Sequence, residues 1–172
     1  MILKNKKDYI TQLNSKSYVW LITGVAGFIG SNILEYLLIR NQKVVGLDDL
    51  STGNYNNLVD IQNSICTKKW LNFQFIKGDI CNHTDCFKAL QGFHEKSETN
   101  KFLKIDFVLH HAALGSVPRS IENPINTNDV NVNGFMNIIE ASRLADVKNF
   151  IYATSSSVYG DDNSSPKTED VI

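Results

Sequence analysis

The chain is poor in the features that mark several large classes of protein. It has three cysteines in 172 residues, Cys66, Cys81 and Cys86, an odd and scattered set that makes no disulfide framework. Cys81, His83 and Cys86 lie close together, but two Cys and one His without a second cluster do not close a zinc site, so no metal is expected. Charge of one sign is lacking too: 17 basic against 18 acidic residues leave a net charge of −1, which argues against nucleic acid as a partner. No apolar run is as long as a membrane span or a signal-peptide core, and the Met1–Lys7 start is polar and charged. The expectation is a cytoplasmic chain with reduced thiols and no membrane partner. No internal repeat is visible, and no low-complexity tract beyond a Lys/Asn/Ile bias. A chain of this length suits one domain with its own core.

What the chain does have is a glycine-punctuated turn in a telling place. Tyr18 to Asn32 reads Tyr-Val-Trp-Leu-Ile-Thr-Gly-Val-Ala-Gly-Phe-Ile-Gly-Ser-Asn, a β-prone run, glycines at 24, 27 and 30, and then a helical pattern. Gly24 permits the tight turn, Gly27 lets the backbone approach a pyrophosphate, and Gly30 lets the helix pack close to the strand. The helix N-terminus supplies free N–H groups and the positive end of a dipole to an anion. Glycines gather in any βαβ turn, so spacing alone is weak. Here a second apolar run, Lys43 to Leu47, ends in the carboxylate of Asp48, at about the ~20-residue distance where a ribose-binding acid belongs.

Along the chain, strand and helix signals alternate. A short helix over about Lys4–Asn14 precedes the nucleotide fold, giving an N-terminal extension (1–17) and a dinucleotide-binding domain (18–172). Strands are predicted at Tyr18–Thr23, at a run ending at Leu47, and at Phe73–Lys77, Asp106–His110 and Phe150–Thr154. Helices are predicted at Phe28–Arg40 (burying Ile29, Ile33, Leu34, Leu37 and Leu38), through Leu58, Ile61 and Ile65, and around Thr84–Gln91. After a long loop to about Pro124, one more helix runs to about Asp146, burying Val130, Phe135, Ile138 and Ile139. Right-handed crossovers make this an α/β, Rossmann-like, doubly wound parallel sheet with helices on both faces, its first and fourth strands adjacent. Gly92–Lys104 is polar where a short connection would suffice; it reads as an exposed insertion more readily than as a partner-binding loop.

The Gly-x-x-Gly-x-x-Gly spacing after Thr23 resembles the extended branch of the short-chain dehydrogenase/reductase superfamily. The likeness runs from about Val19 to Gly160 and takes in Asp48-Asp49-Leu50-Ser51-Thr52-Gly53, Gly78-Asp79-Ile80, Asp106-x-Val108-x-His110-x-Ala112 and Ser155-Ser156-Ser157-Val158-Tyr159-Gly160. Ala112-Ala113-Leu114-Gly115-Ser116-Val117-Pro118-Arg119-Ser120 looks most like the UDP-N-acetylhexosamine 4-epimerases, relatives of the UDP-galactose 4-epimerases.

The resemblance implies an enzyme that epimerises C4 of a UDP-hexose or UDP-N-acetylhexosamine through a 4-keto sugar, and a homodimer at full length. It implies a cofactor site of Gly24, Gly27, Phe28, Ile29, Gly30, Asp48, Asp49, Ser51, Thr52, Gly53, Asp79, Ile80, His111, Ala112, Ala113 and Gly115. Asp79 would take the adenine amino group and Ile80 its face, while His111 to Gly115 would run under the pyrophosphate and nicotinamide ribose. Asp48 favours NAD over NADP, because it repels a 2′-phosphate and no Arg or Lys within Leu47–Asn57 offsets it. His110 and His111 are read as packing or backbone hydrogen-bonding groups rather than bases. Ser116 and Arg119 would lie near the sugar. Ser155, assisted by Ser156, would bind the sugar 4-hydroxyl. Dehydratases of the family carry Asp-Glu at the positions of Ser156 and Ser157, and the decarboxylases a Glu at the second; two serines favour epimerisation.

The family's base is a Tyr with Lys four residues on, where the ammonium lowers the phenol pKa. None of Tyr9, Tyr18, Tyr36, Tyr55, Tyr152 and Tyr159 has Lys at that distance, and the Tyr36–Arg40 pair is in the wrong helix. That base is expected beyond Ile172, as is the small substrate domain. A cofactor-binding module without catalysis is the alternative.

Overall fold

The computed structural model describes residues 6–95, 101–161 and 164–168. Its elements run α1 (Lys6–Ser15), β1 (Val19–Thr23), α2 (Phe28–Leu38), β2 (Lys43–Asp48), α3 (Tyr55–Ser64), α4 (Thr67–Trp70), β3 (Phe73–Lys77) and α5 (His83–Leu90). There follow β4 (Phe93–Glu95), β5 (Lys101–Leu103), β6 (Phe107–His110), α6 (Val117–Glu122), α7 (Pro124–Asn128), a π-helical turn (Asp129–Gly134), α8 (Phe135–Leu144), β7 (Asn149–Tyr152) and a 3₁₀ turn (Ser156–Tyr159). Five strands form one parallel sheet in the order β3-β2-β1-β6-β7. The strand predicted fourth, β6, pairs with β1, so the order reverses there, and ligands of open α/β sheets bind at such a reversal.

The apolar runs are continuous because both faces of the sheet are covered. Leu21 packs into one core with Val45, Leu47, Val108 and Ile138, while its neighbour Ile22 packs into the other with Val25, Leu34, Leu38, Val44 and Leu58. Among the described residues, no helix is long and apolar enough to cross a membrane, and no group of three or more His, Cys, Asp or Glu is placed to hold a metal.

Several predictions need correction. Ile29 is 54% exposed and Ile33 only half-buried, because α2 turns its first residues outward and packs through Gly30, Ser31, Leu34, Leu37 and Leu38. The loop predicted before Pro124 contains α6: the Ser116 hydroxyl accepts from the N–H of Arg119 at 3.4 Å, and Pro118 suits a first helical turn. Asn123 ends α6 and caps α7, and the helix predicted from about Pro124 starts there and runs without interruption through the π-helical turn to Leu144. The π-helical turn then shifts its register, which leaves Val130, Phe135 and Ile139 half-buried while Ile138 and Ala141 are buried.

The Gly92–Lys104 segment is not simply exposed. β4 and β5 pair as an antiparallel hairpin, residues 96–100 lying outside the described chain. Phe93 is buried, and the Gln74 amide bonds both main-chain groups of His94 as a neighbouring strand would. At the same edge, fully buried Gln42 ties α1 to the sheet. Its Oε1 accepts from the N–H of Tyr18 (2.9 Å) and from Trp20 Nε1 (3.2 Å), and its Nε2 donates to the carbonyls of Leu13 (2.7 Å) and Lys16 (2.9 Å).

Candidate active site

Two clefts open at the C-terminal ends of the strands and share one wall, His111 to Leu114. The first lies over β1, β2 and β3. It is lined by Gly24, Gly27, Asp48, Asp49, Ser51, Thr52, Gly53, Asp79, Ile80, His111, Ala112 and Ala113 of the predicted set, with Leu47, Gly78, Leu114 and Val130 in addition. The second lies over β6 and β7, with Gly115, Asn131, Phe135, Tyr152, Ala153, Thr154 and Ser155 on its sides.

The three glycines of the turn have three different causes. Gly24 sits at φ +68, and a Cβ there would meet the backbone of His111 and Ala112 at 2.8 Å. A Cβ on Gly30 would fall on the carbonyl of Gly24, so the close packing of α2 on the turn requires glycine. Gly27 is different. Its φ is −75, and the nearest atom a Cβ would meet is the Gly24 carbonyl oxygen at 3.2 Å. The fold is therefore less demanding at position 27 than at 24 or 30, although a Cβ there would make the turn give slightly, and Gly27 itself lines the cleft. Gly27 caps α2 without a side-chain hydrogen bond, so the first N–H groups of α2 are left to a ligand. Such an arrangement suits a diphosphate.

Phe28 (84% exposed) and Ile29 do not line the cleft, and they could serve a ligand only through the main chain. Asp48 is buried at the end of β2. Its carboxylate accepts from the N–H of Ala26 (2.8 Å) in the glycine turn and from that of Leu50 (2.8 Å) in its own loop. These bonds fix it at the cleft mouth, and Gly53 is needed to clear it: a Cβ there would lie 2.9 Å from Asp48 Oδ1. Asp49 holds the exposed side of the loop by accepting from the N–H and hydroxyl of Ser51. Asp79 Oδ1 accepts from the N–H of Cys81 (2.8 Å), while Ile80 is almost wholly buried against Gly134 of the π turn, a floor more than an exposed face.

The shared wall is fixed from below by Thr23. Its buried hydroxyl accepts from the N–H groups of His111 and Ala112, both at 3.2 Å, and lies 2.8 Å from Nδ1 of His110. Burial pushes the His110 imidazole down to about 4, so its ring is neutral; packed on Phe135 and Phe150, it is a structural group as expected. His111 is half-buried and its pKa is likewise lowered by burial. Burial also raises the thiols of Cys81 and Cys86, to about 11 and about 12, which leaves them protonated and inert.

Asn131 was missed in the sequence. From the π turn, its amide donates to the Leu114 carbonyl (3.0 Å) and accepts from the Leu114 N–H (2.8 Å), holding the wall from the other side. A short amide side chain in mid-helix, where such groups bond backbone instead, was the available signal.

Ser155 lines the second cleft and is exposed, but it also caps the 3₁₀ turn, its hydroxyl accepting from the N–H of Ser157 at 3.2 Å. Ser156 begins that turn; its side chain lies outside what the structure describes. Ser116 and Arg119 line neither cleft: Ser116 caps α6, and Arg119 is exposed. The Arg40 guanidinium lies over the Tyr36 ring, 3.5 Å from its centre, far along α2 from the cleft.

Comparison with known proteins agrees with this geometry. The NAD dependent epimerase/dehydratase family matches residues 20–172. A UDP-glucose 4-epimerase of Mycolicibacterium smegmatis is 39% identical over 152 residues, 88% of this chain and 43% of that protein. Among solved structures, a UDP-glucose-4-epimerase of Stenotrophomonas maltophila with bound NAD and formylated UDP-arabinopyranose superposes with a TM-score of 0.72 at 28% identity, covering 90% of this chain and 41% of that one. A UDP-N-acetylglucosamine 4-epimerase from Methanobrevibacter ruminantium M1, in complex with UDP-N-acetylmuramic acid, gives 0.71 at 31% identity, covering 90% and 43%. The chain thus spans less than half the length of these relatives. A glycine cradle on a helix N-terminus, a fixed acid at the end of β2 and the match over 20–172 lead to one conclusion: the chain belongs to the NAD dependent epimerase/dehydratase family, and its cofactor is NAD.

Proposed function

We propose that this chain is the cofactor-binding part of an epimerase acting at C4 of a UDP-hexose or UDP-N-acetylhexosamine. The observation that carries the reading is the shared wall: the two clefts meet along His111 to Leu114, so a ligand beside Ser155 would lie next to a dinucleotide held in the first. The Gly24–Gly30 turn and the first N–H groups of α2 hold the diphosphate, Asp48 accepts from the adenosine ribose hydroxyls, and Asp79 accepts from the adenine amino group. NAD held there supplies the hydride acceptor, and later the donor, for C4 of the sugar. Ser155 orients the 4-hydroxyl, with Ser156 beside it, while Ser116 and Arg119, which line neither cleft, are given no part in holding it. Serines at 156 and 157 offer no carboxylic acid for eliminating water, which favours epimerisation over dehydration.

None of the six tyrosines has Lys four residues on, so these 172 residues carry no recognisable base for the 4-hydroxyl proton. A positioned general base contributes ~10²–10⁴ in rate. In isolation they are therefore expected to convert neither UDP-N-acetylglucosamine nor UDP-glucose overnight with NAD supplied. A longer chain that restores a Tyr-x-x-x-Lys pair is expected to convert UDP-N-acetylglucosamine to its galactose epimer, read by chromatography. A clear preference for UDP-glucose would move the substrate to the ordinary hexose, and water loss instead of epimerisation would overturn the reading.

A further inference from the structure

Asn137 stands in α8, half-buried, and lines neither cleft. Its side chain nevertheless reaches the loop that follows β3. The amide nitrogen donates to the carbonyl of Ile80 (3.0 Å) and to that of Cys81 (3.1 Å). Carbonyls can accept only from the nitrogen, so this pair of bonds settles which way the amide faces.

The Ile80 carbonyl and the Cys81 N–H belong to one peptide unit, which is planar and turns as a whole. That same N–H donates to Asp79 Oδ1 at 2.8 Å. Asn137 thus grips one end of a rigid plate whose other end holds the Asp79 carboxylate. Other bonds place the main chain of the loop without setting the direction of that carboxylate. The N–H of Gly78 donates to the Asp48 carbonyl (3.1 Å), and the N–H of Asp79 donates to Asp85 Oδ2 (3.0 Å). The Ile80 carbonyl also accepts from Cys86 Sγ at 3.2 Å, but a thiol is a weak donor. The strong grip on the plate is the amide of Asn137.

We infer that Asn137 is a positioning residue for base recognition: through the Ile80–Cys81 peptide it aims the Asp79 carboxylate, and so sets how strictly the site demands an amino group on the purine. The inference rests on the reading of Asp79 as the acceptor for that amino group. Its test is titration calorimetry on the whole 172-residue chain with NAD and with nicotinamide hypoxanthine dinucleotide, in which a carbonyl oxygen replaces the amino group. The unmodified chain is expected to prefer NAD about tenfold or more, the worth of a hydrogen bond to a charged group. Asn137→Ala and Asn137→Leu both remove the donor and differ in bulk, and circular dichroism checks that each is folded. Each is expected to narrow the preference about three- to tenfold by weakening NAD, leaving the hypoxanthine dinucleotide within about twofold. In an Asp79→Ala background the same substitutions are expected to change neither affinity, because Asn137 acts through Asp79. An undiminished preference in folded Asn137→Ala would overturn the inference. So would equal weakening of both dinucleotides, the mark of a packing role, or a loss seen with Leu and not with Ala. An unmodified chain that binds both dinucleotides equally would instead overturn the reading of Asp79 itself.

Discussion

The two clefts share a wall but not a state of completion. The lining of the first is held by hydrogen bonds from side chains to the main chain: Asp48 to the glycine turn, Thr23 to the wall, Asn131 to Leu114. The second has one finished side. Its other side is β7, the last strand of the sheet, where Ile151 and Tyr152 are 52% and 54% exposed while Leu21 and Ile22 of central β1 are fully buried. Among the described residues β7 pairs on one side only, and an edge of that kind can pair with another strand.

The sharpest way to break the comparison is through the glycines. Gly30→Val is expected to disrupt the fold, because its Cβ would fall on the Gly24 carbonyl, and no folded protein should survive to be titrated. Gly27→Val is expected to keep the fold and abolish NAD binding, since a side chain there fills the cradle more than it meets protein. Circular dichroism with calorimetry separates the two. A Gly27→Val protein that still binds NAD would mean the cradle is not where the diphosphate lies.

A smaller effect comes from beneath the wall. The His110 pKa is about 4 when folded against 6.5 for a free imidazole, so the unfolded chain takes up the proton first as pH falls. The stability from keeping this ring neutral is complete above pH 6.5 and is lost as pH falls toward 4, by roughly 3 kcal/mol over that window. Urea midpoints measured across the window should fall toward acid, and His110→Phe should flatten the fall. An equal slope in the variant would place the acid sensitivity elsewhere, in His111 or the carboxylates.

The glycine turn and the place of Asp48 were legible in the sequence because both lie within one βαβ unit, and the pairing of the first and fourth strands followed from right-handed crossovers. The devices that hold the site were not. Gln42 reads as a loop residue and Asn131 as part of a helix surface; their roles exist only once Leu13, Trp20 or Leu114 is brought near by the fold. The insertion at Gly92–Lys104 hid its hairpin for the same reason, since Gln74 and Lys43 hold it from distant strands. Ser155 shows a different limit. Its turn-capping bond accounts for the residue locally, and its place in the second cleft is what the proposed role rests on.

The most direct test of a finished first cleft is titration of the unmodified 172-residue chain with NAD and with NADP under the same conditions. Asp48 holds a fixed carboxylate at the mouth, and no Lys or Arg lies within Leu47–Asn57 to receive a 2′-phosphate. Saturable binding of NAD is expected, with NADP at least about tenfold weaker, a difference that Asp48→Ala narrows. Equal affinity for the two cofactors, or no binding of NAD, would contradict a cofactor cleft completed by this chain alone.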